Sequence, residues 1–274
     1  MKKIFCLLTG IVLFVPALRA QTDVDLDTEL GGRLSLLVDK KILKGLHVSL
    51  EEEVRMDDNF ASFNRFHTTL GVSYKLHPNI KVGLGYAIIN PYSTNNKAFK
   101  SSRHRLMADV IGSMQFGNWR LSLKERFQAT YRSGDMNVYQ APRTALALKS
   151  RLKVTYKALR RWEPYASVEL RNTFNAPVIV ANYDGTDYLT ESLSRYGEAG
   201  WFLDGFNGSY VNRLRGTVGG GYRLSKASSL DVSLMADYVM DKVVDANAAG
   251  TKLKSYTRET GVVGWLAVGY TYSF

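Results

Sequence analysis

The chain has 274 residues, a formal net charge of +11 and a single cysteine, Cys6. One cysteine excludes a disulfide framework and a cysteine-based metal centre. After the first 20 residues, no segment approaches the roughly 18 uninterrupted apolar residues that a membrane-spanning helix needs, so a membrane-embedded form of this chain would have to be a β-barrel.

The N terminus has the composition of a secretory signal peptide. Lys2 and Lys3 precede an apolar run that ends at Ala17, and Ala20 supplies a small residue at the expected cleavage position. We therefore expect residues 1–20 to be removed and residues 21–274 to form one exported domain. Cys6 lies in the apolar run without the small residues of a lipoprotein cleavage site, so no lipid anchor is expected.

Most of the remaining chain alternates apolar and polar residues with a period of two, which is typical of strands with one apolar face. The clearest pair runs from Phe66 to Leu76 and from Ile80 to Ile88, on either side of a turn at Pro78. Eleven such segments can be counted. A single-chain bacterial barrel should have an even number, so a twelfth strand is expected near residues 22–31, with ten-strand closure as the alternative.

Short turns alternate with long polar loops. The turns fall at about residues 77–79, 117–118, 157–161 and 225–228, and the loops at 90–102, 132–143, 175–209 and 241–258. Aromatic residues gather near both kinds of connection, as they do in the two girdles of a membrane barrel. The pattern predicts an all-β, single antiparallel up-and-down transmembrane β-barrel with short periplasmic turns and long extracellular loops.

The last strand carries a terminal aromatic pattern. Tyr270, Tyr272 and Phe274 share one face of the stretch from Gly261 to the C terminus. A chain ending in Phe after alternating aromatics resembles the C-terminal strand of bacterial outer-membrane barrels, which the assembly machinery reads. We therefore expect outer-membrane lipid and that machinery as partners, in the outer membrane of a Gram-negative bacterium.

Four short motifs carry a family resemblance. They are Glu51-Glu52-Glu53-Val54-Arg55, Tyr74-Lys75-Leu76, Gly83-Leu84-Gly85-Tyr86 and Glu125-Arg126-Phe127. Together they resemble the family catalogued as domain of unknown function 2490, small exported barrels common in Bacteroidetes-type bacteria. The resemblance covers nearly all of residues 21–274, and it implies an outer-membrane location. It implies no activity, so no functional residues are carried over.

Histidines are the candidates for lipid chemistry, because outer-membrane lipid hydrolases use a Ser-His pair. His47 and His67 fall in the lumen phase, His77 lies in a turn, and His104 lies where a loop joins a strand. None is clearly in the lipid-facing phase, and no recognisable motif joins a serine to one of them. We expect no catalytic, metal or cofactor site, and a lipid-modifying enzyme is the least favoured function.

Two carboxylates break the pattern. Strict alternation places Glu52 and Glu125 on the lipid-facing side, where an ionised group is costly. One interpretation is a β-bulge that turns each side chain into the lumen. The other is a protonated or partner-bound carboxyl on the outer surface.

Charged residues concentrate in the lumen phase, with a basic surplus. Counting residues outward from each predicted turn places three pairs of opposite charges face to face, and Lys124 and Arg151 extend the same network. The three pairs are Asp109 with Arg126, Lys149 with Glu169, and Arg223 with Asp231. A closed, charge-paired lumen would leave a structural or interaction barrel that works through its outer loops, whereas an open lumen would give a small porin-like channel favouring anions.

The longest predicted loop, residues 175–209, carries Trp201, Phe202 and Phe206 among glycines and polar residues. These aromatic side chains are candidates for contact with an unknown partner, or for a lid over the outer mouth. Nucleic acid is not an expected partner, because the basic residues are spread singly through the alternating strands and the chain is expected to be exported.

Overall fold

The computed structural model describes residues 30–181, 201–250 and 253–274. The predicted signal peptide, and residues 22–29 of the expected additional strand, lie outside this range. The described chain forms twelve strands: β1 Leu30–Leu43, β2 Leu46–Asp57, β3 Ser62–His77, β4 Ile80–Ser93, β5 Ala98–Phe99, β6 Arg103–Phe116, β7 Trp119–Arg132, β8 Thr144–Tyr156, β9 Trp162–Ala181, β10 Trp201–Arg223, β11 Ser228–Ala246 and β12 Leu253–Ser273. Within these ranges, no helix is long and apolar enough to cross a membrane.

Eleven of the strands close into a barrel, which confirms the predicted all-β class. Each strand from β1 to β12 pairs with its neighbour in the chain, except that β5 bonds only to the outer end of β4 and lies outside the wall. Closure joins β1 to β12 in parallel, from Leu30 opposite Gly264 to Asp39 opposite Ser273. An odd number of alternating strands forces one parallel contact, because the first and last strands then run in the same direction.

The total of twelve strands agrees with the prediction, but the twelfth strand is not the expected one. It is the two-residue β5, Ala98–Phe99, within a segment expected to be a loop. The first residues of the expected strand that the structure describes, Leu30 and Gly31, already belong to β1.

Short turns lie at one end of the wall, as predicted. Gly45 and Gly117 adopt positive φ angles of 86° and 54° there, a conformation that glycine adopts without steric cost. At the other end, β9 to β12 extend well beyond the predicted strand ends. Residues 175–181 and 201–209 of one predicted loop, and residues 241–246 and 253–258 of another, are therefore strand.

The burial pattern is inverted relative to a soluble protein. Large apolar side chains face outward and are exposed, as at Leu84 (70%) and Leu106 (63%). Polar side chains face the lumen and are buried, as at Gln128 (2%) and Asp237 (3%). An apolar outer surface around a polar interior is the arrangement of a transmembrane barrel.

Aromatic rings mark two levels on the outer surface. Near the short turns, Trp119 lies 4.8 Å from Tyr156 between ring centroids. Toward the other end, the His104 ring lies 6.1 Å from Tyr86 and 6.5 Å from Tyr131. These levels correspond to the two predicted girdles.

Candidate functional site

The lumen charge network begins at Asp109 on β6. Asp109 lies opposite Arg126 on β7, and its two carboxylate oxygens accept hydrogen bonds of 2.6 and 2.7 Å from the guanidinium. Lys124 adds a third contact, with its Nζ 2.8 Å from Asp109 Oδ2. The predicted Asp109–Arg126 pairing is confirmed, and the bidentate geometry is that of a strong charge-assisted contact.

The second predicted pairing is wrong in register by two residues. Glu169 lies opposite Arg151 on β8, while Lys149 lies opposite Arg171. The strands end where predicted, at Tyr156 and Trp162, but the last paired residues are Thr155 and Tyr165, so the unpaired stretch is centred one residue later than the predicted turn. A shift of two preserves the face, so Lys149 Nζ still reaches Glu169 diagonally at 3.9 Å.

Glu169 has a nearer cation that the sequence did not indicate. Arg213 Nη2 on β10 lies 3.1 Å from Glu169 Oε1. Among the described residues, no carboxylate lies within 4.0 Å of Arg151, although Arg151 is directly opposite Glu169.

The third predicted pairing is also wrong. Asp231 lies opposite Gly221, and Arg223 lies opposite Ser229. A tight turn causes the shift, because Ser225 Oγ accepts hydrogen bonds from the backbone amides of Ala227 and Ser228.

Both members of that pair have other partners. Arg223 contacts Glu163 at 3.1 Å, and its side chain is 59% exposed. Asp231 accepts a 2.8 Å hydrogen bond from the Tyr165 hydroxyl.

The most deeply buried ion pair was not predicted. Arg215 on β10 donates two hydrogen bonds of 2.5 Å to Asp237 on β11, and the two residues are 9% and 3% exposed. The two-residue error at the β10–β11 turn hid their pairing, because the observed register sets Arg215 directly opposite Asp237.

A cavity of about 50 Å³ lies within this network. Its lining consists of four cations and one carboxylate, all from the predicted network: Lys124, Arg126, Lys149, Arg151 and Glu169. The volume holds one or two water molecules at about 30 Å³ each.

A loop bridges the outer mouth. Asn137, between β7 and β8, donates hydrogen bonds of 3.2 and 3.1 Å to the carbonyls of Ala246 and Asn247 at the end of β11. Gln140 donates a 2.7 Å hydrogen bond to Asp245. These contacts join non-adjacent parts of the rim, so the β7–β8 loop reaches over the opening.

The anomalous carboxylates face outward. The strand registers are continuous through Glu52 and Glu125, so the bulge interpretation is wrong. Each is the seventh residue of its strand and accepts a hydrogen bond from the hydroxyl directly opposite. The Glu52 bond comes from Thr68 at 2.9 Å, and the Glu125 bond comes from Ser150 at 2.6 Å.

His104 also faces outward. Its Nδ1 lies 2.6 Å from the Tyr86 hydroxyl, and Leu106, two residues further along the same face, is 63% exposed. The placement of His104 at the loop end of β6 was right, but its lipid-facing orientation was missed because the strand begins only at Arg103.

The terminal aromatic residues lie at the closing seam. Tyr270 and Tyr272 are partly exposed on the outer surface. Phe274 completes the seam through its backbone, because its carbonyl accepts from Lys41 N at 2.9 Å and its amide donates to Asp39 O at 3.1 Å.

The predicted loop contacts belong to a strand. Trp201 and Phe202 pair with Ala181 and Val180 at the start of β10, and Phe206 lies in the same strand. Several register shifts between Leu203 and Arg213 interrupt the alternation there. That irregularity is the reason the sequence resembled a loop.

The closed wall, the apolar outer surface and the shielded, charged interior define a membrane-type β-barrel. Residues 34–187, more than half of the chain, match the family described as protein of unknown function (DUF2490), and the chain belongs to that family. No curated protein matches the sequence.

Several solved barrels share a weak structural likeness. The outer-membrane expressed OmpT of Vibrio cholerae is 8% identical with a TM-score of 0.34, over 78% of this chain and 61% of that one. The NanC porin is 14% identical with a TM-score of 0.42, over 91% and 100%. An anion-selective porin from Comamonas acidovorans is 13% identical with a TM-score of 0.34, over 84% and 54%. This chain thus spans less than two thirds of the OmpT and Comamonas chains, and the likeness is too low to assign a function.

Proposed function

We propose that this protein is a narrow outer-membrane barrel whose lumen is closed by paired charges. It acts as a structural or interaction protein through its outer loops. It is not an enzyme in this proposal, and its partners are outer-membrane lipid, the assembly machinery that reads Phe274, and a molecule bound by the outer end of the barrel.

The observation that carries the proposal is the burial of the lumen side chains. Gln128, Asn212, Arg215 and Asp237 are each 9% exposed or less, as in a protein core. Asp109, Glu169 and Asp237 each hold two cations within 4.0 Å. A wide, water-filled pore would leave such side chains solvated.

The bridged mouth adds support from a different part of the chain. The β7–β8 loop bonds to the end of β11 through Asn137 and Gln140. A loop held across an opening restricts passage and also presents a surface to the exterior. The extended outer ends of β9 to β12, including Phe206, supply the remaining candidate contact surface.

A small channel favouring anions is the second candidate, supported by the order of charges on the inner wall. Four cations lie directly opposite one another on the adjacent strands β7 to β10 and so form one row across the wall: Arg126, Lys149, Arg171 and Arg213. A ring of basic side chains is the usual selectivity element of an anion pore.

Single-channel recording of the refolded protein in planar bilayers tests the proposal. We expect little steady current from the wild type. We expect the combined Asn137→Ala and Gln140→Ala variant to conduct as little as the wild type, because the paired charges of the lumen still block passage after the mouth loses its bridge. Asn118→Ala, in a short turn at the opposite end, is the control. Steady anion-selective current from the wild type would replace the closed barrel with the pore.

A further inference from the structure

Arginine side chains gather on the inner wall beneath the outer mouth. Arg33 on β1, Arg55 on β2 and Arg65 on β3 lie directly opposite one another, within roughly 10 Å across three neighbouring strands. Arg103, the first residue of β6, lies opposite Arg132, the last residue of β7. All five lie toward the outer ends of their strands, because the short turns join the opposite ends. These residues form the outer arginine cluster, and solvent reaches it, since the Arg55 side chain is 19% exposed.

The described chain supplies little negative charge to the outer arginine cluster. Glu53 contacts Arg55 at 2.5 Å, and among the described residues no carboxylate lies within 4.0 Å of the other four arginines. Arg65 Nε donates to the neutral side chain of Asn64, and Asp57 accepts from the same Asn64. Five arginines against Glu53 and Asp57 leave a surplus of three positive charges. Buried like charges without counter-ions are unfavourable, so this surplus favours an anionic ligand.

Unpaired nitrogen atoms mark the same place independently. Arg33 Nε, Arg132 Nε and the Nε2 of His67 are buried and have no hydrogen-bond partner in the part of the chain that the structure describes. Arg33 is 8% exposed and His67 is 6% exposed. The Arg33 guanidinium lies 4.4 Å from the centre of the Trp265 ring, a contact that holds the group in place without supplying an acceptor. Buried donors without acceptors are the feature that an oxyanion would satisfy.

We propose that the outer arginine cluster is a binding site for a phosphate group. The planar guanidinium donates two parallel hydrogen bonds to a tetrahedral oxyanion, and a surplus of more than one charge favours a doubly charged ligand over chloride. Free phosphate and a phosphate group on a larger solute present the same chemistry to these side chains. The inference goes beyond the closed lumen, because a site at the outer mouth binds its ligand whether or not the barrel conducts.

Isothermal titration calorimetry of the refolded full-length chain tests the site, with inorganic phosphate as the probe and the ionic strength held constant with sodium chloride. We expect saturable binding by the wild type and a loss of affinity of about tenfold or more in Arg65→Gln and in Arg103→Gln, because each variant removes a charge-assisted donor. Arg223→Gln is the control, since Arg223 lies at the short-turn end of β10 and its side chain is 59% exposed. We expect its affinity to equal that of the wild type.

Glycerol 3-phosphate distinguishes the two sources of the ligand. Binding of both probes would show that the cluster accepts a phosphate group carried by a larger solute, and binding of inorganic phosphate alone would show a site for the free ion. Thermal unfolding gives a second measurement. Phosphate should raise the unfolding midpoint of the wild type and leave that of Arg65→Gln unchanged, whereas a purely structural role of Arg65 would leave both responses equal.

Migration of unboiled protein on a detergent gel confirms that each variant is folded. Absence of phosphate binding by the wild type, or equal affinity in Arg65→Gln, Arg103→Gln and Arg223→Gln, would overturn the inference. The two proposals fail separately. A barrel that binds phosphate and conducts steadily would keep this site and refute the closed lumen, whereas one that conducts little and binds no phosphate would leave the closed lumen standing without it.

Discussion

Removal of the Asp109 carboxylate should destabilise the barrel strongly. In Asp109→Ala, Arg126 loses both of its hydrogen bonds to this group, and Lys124 loses a contact of 2.8 Å. The Lys124 side chain is 17% exposed and the Arg126 side chain is 30% exposed, so the stranded Lys124 in particular gains little solvation. Breaking one partner from a buried ion pair costs about 3 to 5 kcal/mol, and we expect a loss of unfolding free energy in this range.

Urea unfolding of the refolded protein in lipid vesicles measures this loss. Arg223→Ala is the matched control, because its pair with Glu163 is 59% exposed on the Arg223 side and should cost about 1 kcal/mol or less. The double variant Asp109→Ala with Arg126→Ala should recover part of the loss, but not all of it, since Lys124 remains unpaired. Small, additive effects equal to that of the control would refute the buried network and indicate a wet lumen.

Three further predictions concern the outer surface and assembly. Glu125→Leu should raise the unfolding free energy in lipid by about 1 kcal/mol, because it removes a carboxylate midway between the girdles; destabilisation would indicate that a partner uses the group. Deleting Phe274 should reduce the fraction inserted into the outer membrane, measured by fractionation, and undiminished insertion would contradict its role as an assembly signal. Unboiled protein should migrate faster than boiled protein on a detergent gel, since a closed sheet resists unfolding.

The side of the wall that each side chain faces could be predicted from the sequence, whereas the residue opposite it on the next strand was harder to predict. The period of two correctly placed Asp109 inward and Glu52 outward without any knowledge of the loops. Identifying the residue opposite Glu169 or Arg223 required the turn length, and an error of two residues kept the face while changing the partner. The two-residue turn at Gly117 was short enough to fix its register from sequence.

Two features had no local signal in the sequence. The parallel contact between β1 and β12 depends on how the whole sheet closes, and residues that meet there are more than 200 positions apart. The outer part of β10 is interrupted by register shifts near Gly205 and Gly208, so neither the alternation nor the strand length could be read.

The ion pairs of the lumen join strands that are consecutive in the chain. Asp109 on β6 binds cations on β7, Glu169 on β9 binds cations on β8 and β10, and Asp237 on β11 binds cations on β10. The β6–β7, β8–β9 and β10–β11 hairpins therefore each hold opposite charges in contact within the hairpin itself. Insertion one hairpin at a time would move paired rather than unpaired charges across the bilayer, and this would lower the electrostatic barrier to insertion.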